Sequence, residues 1–161
     1  MADLGWSLPV HGVDAATARC GIIWQHERIR ALLDRARSIA KRAVAGGSPS
    51  PDDLVVAIDD IRSVMEAHCT YEERHWVPLL RENVPLGPQW ADDIVAEHRT
   101  QRELLADLHR EASADPASPT LPGRLEFLVA WLRSHMAEEE RYLTLPAVVP
   151  RDFLVIEQRT G

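Results

Sequence analysis

The feature that most limits the fold of this chain is a stripe of apolar residues at helical spacing, which recurs in four segments. Intervals of three or four residues place side chains on one face of an α-helix. In the second segment the stripe consists of Leu54, Ile58, Ile61 and Met65. Segments rich in Gly, Pro, Asn and Ser separate the four stripes and predict turns between helices.

These patterns predict helices over about 14–44, from 51 to near 80, from beyond Pro88 to about 112, and from 121 or 122 to about 146. Asp14 suits a helix N-cap, and Ser50 before Pro51 suits another. Connections of about 6 to 10 residues favour antiparallel neighbours. We therefore expect an all-α fold, an antiparallel up-down-up-down four-helix bundle. It should form a single domain over 1–161 with its core at about 14–146, a short N-terminal arm and a C-terminal tail.

Composition and charge limit the classes of molecule that the protein could bind. With 25 acidic and 18 basic side chains the net charge is -7, which opposes binding to phosphate backbones and anionic membrane surfaces. No apolar run reaches membrane-spanning length, and there is no signal-peptide pattern. The two cysteines, Cys20 and Cys69, fall on predicted apolar faces and are interpreted as buried free thiols. We expect a cytoplasmic protein that binds neither nucleic acid nor membranes.

Each predicted helix carries one histidine close to its midpoint. These residues are His26, His68, His98 and His135. In an antiparallel bundle the helix midpoints share one layer, so the four imidazoles should meet at one height, within roughly 5 Å at a rise of 1.5 Å per residue. Four unrelated histidines would rarely coincide in this way.

Two glutamates share the faces of these histidines. A residue four positions on is rotated by only about 40°, whereas one five positions on is rotated by about 140°. This selects Glu72 over Glu73 and Glu139 over Glu140. Two buried carboxylates in one layer need a positive partner. Four nitrogen ligands and two carboxylates suit a pair of first-row metal ions, although a buried His/Glu hydrogen-bond network is an open alternative.

The arrangement resembles the hemerythrin-like (HHE) cation-binding family. The resemblance is carried by His26, His68-Cys-Thr-Tyr-Glu72, His98 and His135-Met-Ala-Glu-Glu139, and by an acidic pair followed by Pro near the end of two helices. It implies a non-haem centre of two iron ions with oxo or hydroxo and carboxylate bridges, which reacts with or senses O2, peroxide or NO. Blood-type hemerythrins have a fifth histidine. The four-His, two-Glu set resembles a variant subclass and favours redox or sensing chemistry over O2 storage.

Further residues and functions stay open from the sequence. His75 and Tyr142 lie seven residues beyond His68 and His135, about 20° off the ligand face, and could be additional ligands or hydrogen-bond donors to ligands. His109 and His11 lie too far along the chain to reach the metals. Glu72-x-x-His75 matches half of a ferritin-like ferroxidase motif, and a metal-dependent interaction or signalling module is a third hypothesis. Ligand type alone does not separate Fe from Mn or Zn, and whether the protein is an enzyme is undecided.

Overall fold

Four helices account for most of the structure. The computed structural model describes residues 14–45 and 50–143, leaving aside the side chains of Pro51 and Tyr142. The helices are α1 (Ala15–Val44), α2 (Pro51–Asn83), α3 (Gly87–Ala114) and α4 (Leu121–Leu143). No strand occurs within these described ranges. The predicted arm, the tail and the last residues of the predicted fourth helix lie outside them.

Local sequence sets the helix starts. The Asp14 carboxylate accepts a hydrogen bond from the backbone N–H of Thr17 at 2.9 Å, as an N-cap does. Ser50 and Asp53 form a capping box at the start of α2, with Pro51 in the first turn. At its other end α2 continues through Pro78 to Asn83 and is therefore slightly longer than predicted.

Polar contacts between the helices show how they run. Along α1, His26 contacts Glu140 of α4 whereas Asp34, further along, contacts the earlier residue Arg133. One number rises as the other falls, so α1 and α4 are antiparallel. The same reversal holds for α1 with α2, for α2 with α3 and for α3 with α4. The predicted up-down-up-down bundle is confirmed.

Two apolar clusters fill the bundle on either side of a polar layer. The larger cluster surrounds Leu33, Ile58, Leu105 and Leu132. The smaller cluster, at the other end, includes Ile22, Trp76, Leu80 and Leu143. Between them lie buried His, Glu and Gln side chains. The polar layer is thus sealed by hydrocarbon above and below, and access along the bundle axis is closed.

The two cysteines differ in their exposure to solvent. Cys69 is buried, but Cys20 is exposed, contrary to the prediction of two buried thiols. Cys20 is two residues, or about 200°, from the core residue Ala18, which turns its side chain to solvent.

None of the described helices combines the length and apolar character needed to cross a membrane. The assignment of 1–161 to one domain stays a prediction.

Candidate metal centre

All six residues predicted as metal ligands meet in the polar layer. His26, His68, Glu72 and His98 are completely buried. His135 and Glu139 retain 8% and 5% of their surface, so the layer reaches solvent only slightly, on the α4 side. Each helix supplies one histidine, and α2 and α4 each add the glutamate one turn later.

The inner atoms of the cluster are the four Nε2 atoms and the two carboxylates. Nε2 of His26 lies 3.1 Å from Oε2 of Glu139, and Nε2 of His98 lies 3.1 Å from Oε2 of Glu72. Nε2 of His68 is between the two carboxylates, 3.9 Å from Glu72 and 3.7 Å from Glu139. Nε2 of His135 lies 3.6 Å from Glu139.

These donors fall into two groups that could each hold one cation. One group consists of His26, His68, Glu72 and Glu139, and the other of His98, His135 and Glu139. Within each group the ligand atoms lie no more than 4.8 Å apart. Two ligands with metal bonds of about 2.1 Å are about 3 to 3.5 Å apart, close to the shorter separations seen here. Glu139 belongs to both groups and could bridge two ions.

The buried donors are incompletely satisfied within the protein. Nε2 of His68, Nε2 of His135, Oε1 of Glu72 and Oε1 of Glu139 are buried without a hydrogen-bond partner among the described residues. Such atoms are rare in folded proteins because each lost hydrogen bond costs roughly 1–3 kcal/mol. All four are atoms that bind metals readily. The donor set therefore fits cations better than it fits a closed hydrogen-bond network.

The two central carboxyl groups differ in their affinity for a proton. Burial, reinforced by the nearby Glu139 carboxylate, raises the pKa of Glu72 well above its usual range. Burial also acts on Glu139, but the nearby imidazoles of His26 and His68 outweigh it and hold the pKa of Glu139 well below its usual range. Two buried carboxylates in one layer repel each other, so ionising both without a cation is unfavourable. The two pKa directions favour Glu72 as the group that binds a proton first.

Burial also favours the neutral form of the imidazoles. It lowers the pKa of His68 and of His98, despite the opposing effect of nearby glutamates. A neutral imidazole has a lone pair for a metal, whereas an imidazolium has none. These two side chains are consequently in the form that ligation requires.

Each histidine has a second polar partner on its outer side, at Nδ1. His26 contacts Glu140 at 2.9 Å, and His98 contacts Glu73 at 3.0 Å. His135 contacts Glu97 at 3.0 Å. The partner of His68 is instead the neutral amide oxygen of Gln25, also at 3.0 Å. An acceptor at Nδ1 keeps the proton there and leaves Nε2 free for a cation.

Two arginines hold the outer carboxylates in place. Arg30 donates to Glu140 at 2.6 Å, and Arg102 donates to Glu73 at 2.7 Å. Arg102 also reaches Glu66 at 2.8 Å. Arg102 and His98 lower the pKa of Glu73, and His26 and Arg30 lower the pKa of Glu140, in each case against the effect of partial burial. The carboxylates of Glu73 and Glu140 are therefore anionic and are held in one orientation beside the histidines.

The prediction that Glu73 and Glu140 leave the inner face agrees with this geometry, but their contacts with histidines were not foreseen. Gln25 and Glu97 were also missed. A signal was present in the sequence, because each immediately precedes a predicted ligand, His26 or His98. Arg30 and Arg102 likewise lie one turn after those histidines.

The remaining sequence candidates lie elsewhere. His75 packs against Tyr71 with ring centroids 4.7 Å apart and belongs to neither donor group. Seven residues along α2 correspond to about 10 Å, which accounts for this separation. His109 lies 3.5 Å from Asp59, well along α3 from His98. The side chain of Tyr142 and the whole of His11 are outside the described residues.

Gln101 is a further buried polar residue that the sequence did not reveal. Its Oε1 lies 3.4 Å from the thiol of Cys69, whereas its Nε2 has no hydrogen-bond partner among the described residues. Burial raises the pKa of the Cys69 thiol to about 12. This thiol is therefore neutral and a poor metal ligand or nucleophile.

Comparison with known protein families assigns the chain to a family. The family model described as the hemerythrin HHE cation binding domain matches residues 23–145, which is most of the chain. No curated protein and no solved structure matches the chain. The matched range contains all six buried donor residues. The chain belongs to the hemerythrin HHE cation-binding family.

Proposed function

We propose that this protein binds two iron ions in the polar layer and that the centre reacts with or senses O2, peroxide or NO. The observation that carries the proposal is a set of four buried donor atoms in one layer, on His68, His135, Glu72 and Glu139, that find no hydrogen-bond partner in the described part of the chain. A hydrogen-bond network would satisfy these atoms, and a pair of cations would use them. The proposed ligands are those expected from the sequence: His26, His68, Glu72, His98, His135 and Glu139.

The protein side chains have separable roles in this proposal. The two inner carboxylates neutralise the cations, and the neutral imidazoles supply nitrogen lone pairs. Three outer carboxylates accept hydrogen bonds from the Nδ1–H groups of the histidines and so fix the orientation of the rings. They belong to Glu73, Glu97 and Glu140. The apolar clusters above and below exclude water from the layer. When bound, two iron ions would supply electrons and coordination positions for a small ligand.

Two alternatives from the sequence receive less support. A ferritin-like site would use His75 together with Glu72. The imidazole of His75 packs against Tyr71 at a tilt instead, and no second Glu-x-x-His pair lies in α4. A metal-dependent interaction module stays a hypothesis without a contact that favours it. We retain the proposal that the protein acts in the cytoplasm.

Anaerobic reconstitution tests the proposal. Protein stripped by a chelator is incubated with Fe(II), freed of excess metal and analysed for bound iron before exposure to air. We expect about two irons per chain, with near-ultraviolet charge-transfer bands after oxidation. Fewer than one tightly bound iron would refute the proposal. Parallel loading with Mn(II) and Zn(II) tests the choice of iron, because all three metals accept these ligand types.

The variants that discriminate the ligand set are His26→Ala and His98→Ala. Both should lose iron if the centre is built as proposed. Iron binding that survives both substitutions would favour the ferritin-like alternative. His109→Ala is the matched control, because this histidine lies on α3 but outside the layer. Its iron content should equal that of the wild-type protein.

A further inference from the structure

The two halves of the bundle repeat each other around the polar layer. Gln25, His26 and Arg30 of α1 have Glu97, His98 and Arg102 of α3 as counterparts. The contacts repeat as well: His26 meets Glu140 on α4 as His98 meets Glu73 on α2. The centre thus has an approximate two-fold axis. Any departure from this symmetry distinguishes the two metal positions.

One departure lies just beside the layer, where α1 meets α2 and α3 meets α4. Five residues before His26, Gly21 packs so closely on the Tyr71 phenol that a Cβ atom at position 21 would collide with it. The counterparts of these residues in the second half are Asp93 and Glu138. Both are exposed carboxylates. A tight contact in the first half is therefore replaced by two like charges in the second.

A cleft lies where the second half is open. It has a volume of about 290 Å³ and is lined by residues of α2, α3 and α4. Trp76, Leu80, Trp90 and Ile94 give it apolar walls, and His135 and Glu139 of the metal layer form part of its lining. The helices α3 and α4 also pack less closely than the other neighbouring pairs. The cleft therefore reaches the metal layer from the side.

Burial of equivalent residues agrees with this asymmetry. His135 and Glu139 are the two partly exposed donors of the layer, whereas their counterparts His68 and Glu72 are completely buried. Ile22, one turn before His26, is likewise buried, whereas Ile94, one turn before His98, is partly exposed and lines the cleft.

The donors beside the cleft differ from the enclosed ones in access. The group beside the cleft consists of His98, His135 and Glu139, and two of these three are the partly exposed donors of the layer. Glu72 also lies 3.1 Å from Nε2 of His98, so this side does not lack a second carboxylate. A cation in the second group would lie nearer to solvent, which favours the binding of an external molecule at that position.

Charge restricts what can enter. Three carboxylates line the cleft in addition to Glu139, namely those of Asp93, Glu97 and Glu138. None of the described residues lining it is a Lys or an Arg. Because like charges repel across a low-dielectric cleft, anions should be excluded relative to neutral molecules of the same size.

We propose that small uncharged molecules reach the centre through the cleft between α3 and α4 and bind on the His98/His135 side, and that the acidic lining excludes anions. This inference rests on the proposed function, since it requires a metal in the layer. It adds the route, the side of the centre that reacts and the charge of the ligand.

The test uses iron-loaded full-length protein with NO as the neutral probe and azide as the anionic probe. The double variant Asp93→Gly/Glu138→Tyr transfers the tight contact of the first half to the second and should close the cleft. Ala96→Phe, at an exposed position of the lining, fills the cleft by a different substitution and is used if the double variant is poorly folded. Ser134→Tyr, exposed on α4 outside the lining, is the matched control.

Iron content is measured first, and stopped-flow absorbance then gives the rate of NO association. We expect two irons per chain in every variant, with NO association at least tenfold slower after closure and unchanged in Ser134→Tyr. A wild-type rate in either closed variant, once that variant is folded and has its full iron content, would overturn the proposed route. A wild-type protein that loads no iron would instead refute the proposed function itself, so the two failures are distinguishable.

Charge selectivity is tested separately with Asp93→Asn/Glu138→Gln, which keeps the cleft open but removes two charges. Azide affinity should rise severalfold at low salt, and this gain should shrink as salt screens the repulsion. The NO rate should stay within twofold of wild type. If the azide affinity changes with neither the substitution nor the salt concentration, the proposed exclusion of anions is overturned.

Discussion

The two central glutamates should respond in opposite ways to the same substitution in the metal-free protein. Glutamine has nearly the shape of glutamate but is neutral, so it resembles a protonated carboxyl group. Because the raised pKa of Glu72 favours its protonated form when no metal is bound, Glu72→Gln should change the free energy of unfolding by less than about 1 kcal/mol. Glu139→Gln removes a negative charge that three histidines approach within 3.7 Å.

The cost of losing that charge can be worked out from its contacts. Glu139 is buried, and its Oε2 lies 3.1 Å from Nε2 of His26. A polar contact with a charged group contributes about 1.5–3 kcal/mol, and a buried polar atom that is left without its partner costs about 1–3 kcal/mol. We therefore expect a loss of about 3 kcal/mol. In a chain of this size, that lowers the melting temperature by about 6–12 °C.

The stability of the two variants should also change with pH in opposite directions. A raised pKa in the folded state means that Glu72 favours folding at pH values below its ordinary value of 4.5. This contribution is lost as pH rises through the raised value. The melting temperature of Glu72→Gln should therefore gain on that of the wild type as pH increases. The depressed pKa of Glu139 acts in the opposite sense, because its contribution is present above the ordinary value and is lost in acid.

The assay is thermal unfolding followed by circular dichroism, with chelator-treated protein at several pH values and again after addition of metal. With metal, both variants should lose the stabilisation that the wild type gains, which is about 2.7 kcal/mol at a metal concentration of 100 Kd. Equal destabilisation of the two metal-free variants would refute the assignment of the proton to Glu72.

Three further predictions concern metal binding. Metal affinity should fall as pH is lowered, because a cation must displace the proton that the raised pKa of Glu72 retains; chelator competition at pH 8 and pH 6 measures this, and equal affinities would contradict it. Glu97→Gln should weaken metal binding by about 10- to 100-fold by removing the carboxylate at Nδ1 of His135, as equilibrium dialysis would show, and an unchanged Kd would exclude that role. His68→Ala should abolish binding of one or both metals in elemental analysis, and two retained metals would remove this histidine from the ligand set.

The sequence was sufficient for the fold because its local signals agree. Apolar spacing, the caps at Asp14 and Ser50 and the polar connections all predict the same four helices. The choice of Glu72 over Glu73 followed from rotation within one helix, which the α-helix fixes at 100° per residue. Properties that depend on a single helix were therefore predictable.

Properties that depend on how two helices fit together were not predictable from the sequence. The contact of Glu73 with His98 requires the relative offset of α2 and α3, which spacing within either helix does not determine. The same is true of the pair formed by Gln25 and His68. The cleft arises from a difference in closeness between helix pairs, and no apolar pattern in the sequence reports it.

The repeated halves of the bundle also suggest a use as a split protein. The turn between α2 and α3 at 84–86 joins two hairpins, and each hairpin carries two of the four histidines. Glu139 of the second hairpin completes the donor group of the first, and the outer partners of His26 and His98 also come from the opposite hairpin. Cutting the chain in this turn should yield two fragments whose association depends on metal. Such a pair would act as a genetically encodable reporter, in which complementation reads out metal availability.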